Sequence, residues 1–169
     1  MLDLDIREAI KRGNVLELLL LLEGNDMDYL DDQYKAHDMF PLMVHATIER
    51  QAGIIQALIS KGADVNRLDV SGTSALHVAC ENLDYEIAKI LLDAGANVST
   101  FDQNNYTPLH WVMRRNGSGD HMVGLLLQYG ADPDAGKSAG LTTPYEFAVR
   151  IRNTHCFNIL ATASGRSEC

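Results

Sequence analysis

One phrase, written twice between Gly62 and His110, restricts what this chain can fold into more than any other feature. The first copy runs Gly62-Ala63-Asp64-Val65-Asn66 and, further on, Ser74-Ala75-Leu76-His77. The second runs Gly95-Ala96-Asn97-Val98 and then Thr107-Pro108-Leu109-His110. Gly62 to Gly95, Ala75 to Pro108 and Leu76 to Leu109 are each 33 positions apart. When separate landmarks share one spacing, a structural unit recurs, and a unit this short buries its apolar face only against copies of itself. A stack of such units is the expected architecture.

The copies also carry the local chemistry of short helices. Ser74 and Thr107 precede apolar runs and suit an N-cap, where a side-chain oxygen accepts from a backbone N–H of the first turn. Pro108 falls at the first helical position, where its missing N–H leaves no bond unmade. Gly95 follows the run from Tyr85 to Leu92, where a left-handed residue closes a helix.

Outside the two copies the pattern is looser. Residues 1–24 read as a capping helix pair, Leu4 to Ile10 and Val15 to Leu22 joined at Gly13-Asn14, with Asp3, Asp5, Arg7, Glu8, Lys11 and Arg12 turned to water. An aspartate-rich linker follows at 25–38. A degenerate unit, about 39–68, starts at Phe40-Pro41-Leu42-Met43, with Phe at the Thr position and Met at the His position. Leu42 to Gly62 is 20 positions against 19 from Leu76 to Gly95, so one extra residue is expected between its helices. Units at 69–101 and 102–134 hold the two copies, and in the second the run Asn116-Gly117-Ser118-Gly119-Asp120 should lengthen the turn between helices. Residues 135–161 read as a closing pair with Arg150, Arg152 and Asn153 as its polar face, and 162–169 as a flexible tail.

A 33-residue period with Thr-Pro-Leu-His at 107–110 resembles the ankyrin repeat. The resemblance covers most of the chain and implies an all-α fold: an ankyrin-repeat solenoid of about five stacked helix-turn-helix units with short β-turn fingers, a single domain over 1–162. It also implies that His77 and His110 tie one turn to the next by hydrogen bonds. In size and repeat count the chain resembles small ankyrin-only regulators, such as the ankyrin-class inhibitors of cyclin-dependent kinases and the ankyrin subunits of cell-cycle kinase complexes. The implied function is a non-catalytic protein–protein interaction module, a regulatory or inhibitory subunit that docks a partner, for example a cell-cycle protein kinase, in its concave groove. An IκB-like inhibitor of a transcription factor is the alternative. An enzyme and a self-associating scaffold are the alternatives of other classes.

Composition narrows the partners. A formal charge of −9 disfavours a nucleic-acid footprint, which needs clustered Lys and Arg. The most apolar run, Val15 to Leu22, is interrupted by Glu17 and closed by Glu23, so no membrane partner is expected. Cys80, Cys156 and Cys169 lack paired spacing, which fits an intracellular compartment, cytoplasm or nucleus. The chain is expected to be a monomer alone or a subunit of a heteromer.

No catalytic residue, metal site or cofactor is expected. Asp26 and Asp28 would open a calcium loop, but Leu30, Asp31 and His37 stand where it needs an oxygen ligand, a glycine and a glutamate. His155 and Cys156 point about 100° apart on a helix and have no second pair nearby. Cys80 stands at a small buried position, and Gly117-Ser118-Gly119 lacks the lysine of a phosphate loop.

What remains is a surface. The resemblance places turn tips and the exposed side of each first helix in a concave groove, which here means Leu68, Val70, Ser71, Thr73, Glu81 and Asn82, then Phe101, Gln103, Asn104, Tyr106, Trp111, Arg114 and Arg115. Tyr, Trp and Arg concentrate binding energy at interfaces. The set Tyr106, Trp111, Arg114 and Arg115 therefore predicts an anchor for an acidic or phosphorylated segment. Trp111 is equally suited to the core, whereas Tyr106 and the arginines do not read as packing residues.

Overall fold

The computed structural model describes residues 2–25, 40–114 and 119–165. Among them are ten α-helices, one short 3-10 turn and no strand. The helices come in pairs: α1 Leu2–Arg12 with α2 Val15–Leu21, α3 Leu42–Ile48 with α4 Ala52–Ser60, and α5 Ala75–Glu81 with α6 Tyr85–Asp93. Then come α7 Pro108–Met113 with α8 Asp120–Gln128, and α9 Pro144–Arg150 with α10 Thr154–Ala163. First helices pack on first helices (α3, α5, α7, α9) and second on second (α2, α4, α6, α8, α10), giving two layers. One continuous apolar core runs between them, from Ile6 and Leu18 through Leu42, Ile55, Leu76, Leu91, Leu109 and Leu126 to Leu160. Each such fully buried side chain contributes about 1.5–3 kcal/mol of transfer free energy.

Helices this short need their ends fixed. Second helices are capped by Asn14, Asp84 and Asn153, whose side chains accept from the backbone N–H of Glu17, Ile87 and Cys156 at 3.2, 3.3 and 3.1 Å. Each cap follows a left-handed residue, Gly13, Leu83 or Arg152, that turns the chain back. Gly62, Gly95 and Gly130 end second helices at φ of 84°, 90° and 86°, as glycine at a helix C-terminus permits.

The degenerate unit is a full 33-residue copy, in a register one residue from that expected. Its left-handed turn residue, Arg50, stands 33 positions before Leu83, and α3 starts 33 positions before α5. Three residues, Glu49 to Gln51, join α3 to α4, the same number as Asn82 to Asp84 between α5 and α6, so the expected extra residue is absent. Pro41 is thus the N-cap, Met43 takes the Leu position and Val44 the His position. Pro41, Leu42, Met43 and Val44 are all buried, so hydrophobicity alone favours no register among them.

The expected lengthening before α8 is present, with six residues, 114–119, joining α7 to α8. Helix α10 continues through Ala163, two residues beyond the expected closing pair. The tail 166–169 and the linker from 26, with its rejected calcium loop, lie outside the described residues, as does Arg115.

Between units run turn fingers built on one aspartate each. Asp69 Oδ1 accepts from the N–H of Ser71 and Thr73 at 2.8 Å, and Asp102 Oδ1 from Asn104 and Tyr106 at 2.8 and 2.9 Å. The Gln103 N–H donates to the Ser71 carbonyl at 2.9 Å, joining adjacent fingers. Further along, Asn66 bridges to the next unit, donating to the Gly95 carbonyl and accepting from the Asn97 N–H.

Candidate functional site

The fingers and first helices set the geometry of the concave face, and the histidines lock it. The Ser74 N–H donates to His77 Nδ1 at 3.1 Å, so Nδ1 is the unprotonated nitrogen and Nε2–H is left to donate to the Tyr106 carbonyl at 3.1 Å. His110 repeats this with the Thr107 N–H at 3.0 Å and the Thr142 carbonyl at 3.1 Å. Burial lowers the pKa of both rings, that of His110 to about 4, so both are neutral ties near pH 7. At the equivalent place in the last pair, Glu146 accepts from the Thr143 N–H at 3.0 Å. The tie implied by the resemblance is present in both histidine units.

A groove of about 310 Å³ opens along the first helices, bordered by Phe40, Val44, Ile48, Asp69, Thr73, Val78, Glu81, Asn82 and Trp111. Its walls repeat with the period of the chain. Phe40, Thr73 and Tyr106 are one series, His45, Val78 and Trp111 a second, and Ile48, Glu81 and Arg114 a third. The third series changes chemistry from unit to unit: apolar at α3, acidic at α5, cationic at α7.

Four of the expected residues, Thr73, Glu81, Asn82 and Trp111, border this groove, with Thr73 buried in its floor. Trp111 is half-buried: its Nε1–H donates to Asp102 Oδ2 at 3.0 Å, its ring meets His77 edge-on, and the exposed Arg114 guanidinium lies 5.0 Å from its centroid. Such a stack holds a cation over an aromatic face while leaving N–H donors to solvent. Val70, Phe101, Gln103 and Asn104 are exposed on the fingers, and Leu68 and Ser71 are half-buried there. Tyr106 corrects an expectation, because its ring is half-buried against His110 and Phe147, at 5.2 and 5.3 Å between centroids, and so it packs two units together.

Phe40, Ile48 and Val78 were not among the expected groove residues. The misplaced register hid Phe40 by setting it at the cap position of Ser74; Ile48 was passed over because only the two strong copies were carried to the groove. Cys80 and Cys156 are buried, which raises their pKa, Cys156 to about 11, so neither is a ready nucleophile. Among the described residues, no group of three His, Cys, Asp or Glu is placed to hold a metal. No described helix is long and apolar enough to cross a membrane.

A family model described as "Ankyrin repeats (3 copies)" matches residues 6–102, and one described as "Ankyrin repeat" matches 104–138. The chain belongs to the ankyrin-repeat family. Fowlpox virus (strain NVSL) Putative ankyrin repeat protein FPV014 is 37% identical over 101 residues, 59% of this chain and 22% of that protein. The Nuclear factor NF-kappa-B p105 subunit of Gallus gallus is 30% identical over 151 residues, 87% of this chain and 14% of that protein. Putative ankyrin repeat protein FPV031 of the same fowlpox strain is 28% identical over 159 residues, 91% of this chain and 46% of that protein. The chain spans less than half the length of each of these relatives. Ankyrin repeats are protein–protein interaction modules, and solenoids of this kind present extended concave surfaces for binding.

Proposed function

We propose that this ankyrin array is a regulatory or inhibitory subunit whose concave groove seats one segment of a partner protein. The observation that supports it most is the chemical gradient along the groove: apolar Phe40 and Ile48, then Val78 with Glu81, then Trp111 under the Arg114 guanidinium. A segment that places an apolar side chain between Phe40, Ile48 and Val78, and a carboxylate or phosphate on Arg114, matches both ends of that gradient. Arginine suits that role because its planar fork binds two oxygens at once. On the resemblance to small ankyrin-only regulators, a cell-cycle protein kinase is the leading partner class.

The likeness to the NF-kappa-B p105 subunit favours a second reading, an IκB-like inhibitor of a transcription factor. Capture from the native source with the wild-type chain and with an Ile48→Asp, Arg114→Ala variant, followed by mass spectrometry, separates the two. A stoichiometric kinase or transcription factor retained by the wild type alone supports the groove. Equal recovery of that partner by both proteins contradicts it.

A further inference from the structure

The two ends of the stack expose apolar side chains, several of them at positions that interior units cover. At one end, Leu16 and Leu20 on α2 are 76% and 70% exposed, the highest values among the large apolar side chains described. Aligned on the caps Asn14, Gln51 and Asp84, Leu16 corresponds to Gly53 and Glu86, and Leu20 to Ala57 and Ile90. These positions lie toward the preceding pair: a Cβ on Gly53 would lie 3.4 Å from Val15 Cγ2, and Ile90 borders a groove with Gln56, Ile59 and Ser60 of α4. At the Leu20 position Ala57 is buried and Ile90 half-buried, while at the Leu16 position Gly53 and Glu86 stay exposed at the edge of the contact. Asp93 borders the same groove, and its counterpart at the end of α2 is the exposed Glu23.

At the other end, Val149 is 49% exposed, although its counterparts Met113 and Cys80 are 0% exposed. Phe157 is half-buried, while its counterparts Val123 and Ala88 are 0% exposed. Val149, Phe157 and Ala148 border an apolar hollow of about 430 Å³ with Arg152 on its rim. Among the described residues no helix pair packs on this face.

We propose that the occupant of each face is a second copy of this chain, stacked head to tail, so that Leu16 and Leu20 of one copy enter the hollow formed by Val149 and Phe157 of another. Two relationships select this occupant. The contact repeats the stacking that already joins α2 to α4 and α6 to α8, so each face meets the kind of surface its counterparts meet. The rims are opposite in charge, Glu23 at one end against Arg152 at the other. Because the contact joins unlike faces, it propagates as a chain rather than closing a twofold dimer. It leaves the concave groove free, so it stands or falls apart from the docking proposal.

Sedimentation velocity on the purified chain tests this, at concentrations up to about 1 mM to reach weak contacts. The weight-average mass should rise with concentration. A Leu16→Asp, Leu20→Asp variant and a Val149→Asp variant should each stay monomeric, since each keeps only one working face, while an equimolar mixture forms dimers and nothing larger, the two blocked faces being alike in charge. Circular dichroism shows that each variant is folded, and Val149→Ser replaces Val149→Asp if the latter is not. A wild-type mass that stays at a single chain, or end variants that associate as the wild type does, overturns the proposal.

Discussion

His77 Nε2–H donates to the Tyr106 carbonyl at 3.1 Å, and this bond carries the geometry of one repeat into the next. The same carbonyl accepts from the Asp102 N–H, so the ring braces the finger that presents Phe101, Gln103 and Asn104. Replacing His77 by Ala removes that brace, and also the acceptor of the buried Ser74 N–H. We expect a loss of about 1–3 kcal/mol in urea unfolding, typical of a buried hydrogen-bonded group. A loss under about 0.5 kcal/mol would contradict a structural tie.

Stability should depend on pH through the same rings. Folding holds His110 at a pKa of about 4 and His77 below 6.5, against 6.5 for the unfolded chain. Between pH 6.5 and about 4 the unfolded state binds protons that the folded state does not, so stability rises with pH across that window. The contribution is fully present above pH 6.5 and is lost as pH falls toward 4. Urea midpoints from pH 7.5 to 4.5 should therefore decline, and a His77→Gln, His110→Gln variant should decline less steeply. Identical slopes would exclude the histidines as the cause.

Finger geometry gives a third expectation. Gly72 has φ of +74°, and a Cβ there would stand 3.3 Å from Asp102 Cα and Gln103 N, in the backbone of the next finger. Its counterpart 33 residues on, Asn105, has φ of +61°. Gly72→Ala should cost about 1–3 kcal/mol through backbone strain, while Asn105→Gly should change stability by less than about 1 kcal/mol. Thermal melts of the two variants distinguish a shared left-handed requirement from a tolerance at either site.

The period and the ties of the two strong copies were legible because they rest on residues with one physical use: Ser74 and Thr107 as caps, Gly95 as a left-handed terminus, His77 and His110 as bridges. The degenerate unit was not, because Pro41, Leu42, Met43 and Val44 all suit burial and none announces its register. Its turn residue, Arg50, adopts φ of 56° without being a glycine, so sequence gave no punctuation there. Spacing back from Gly62 was the one available signal. The packing of Tyr106 was hidden for another reason: an aromatic ring suits an interface and a seam between units alike, and its neighbour Phe147 is 41 positions away in the sequence.

That register makes a fourth expectation. Val44→His buries an imidazole whose Nδ1 has no donor, since Pro41 carries no N–H. The single substitution should cost about 2 kcal/mol or more, as buried unsatisfied polar groups do. Adding Pro41→Thr supplies the N–H and should recover most of the loss, because Thr73 offers the carbonyl that corresponds to that of Tyr106. If the double variant is no more stable than the single one, the alignment of this unit is wrong.

Trp111 is the chain's sole tryptophan and borders the groove, so a probe placed there reports docking directly. With the chain labelled at Trp111 by 5-fluorotryptophan, fluorine NMR should show its single resonance shift as the purified partner is titrated to saturation, and Ile48→Asp should weaken that titration about tenfold or more, as loss of a central apolar contact does. A resonance unmoved at saturation, with the partner demonstrably bound, would place binding elsewhere and contradict the concave groove as the docking site.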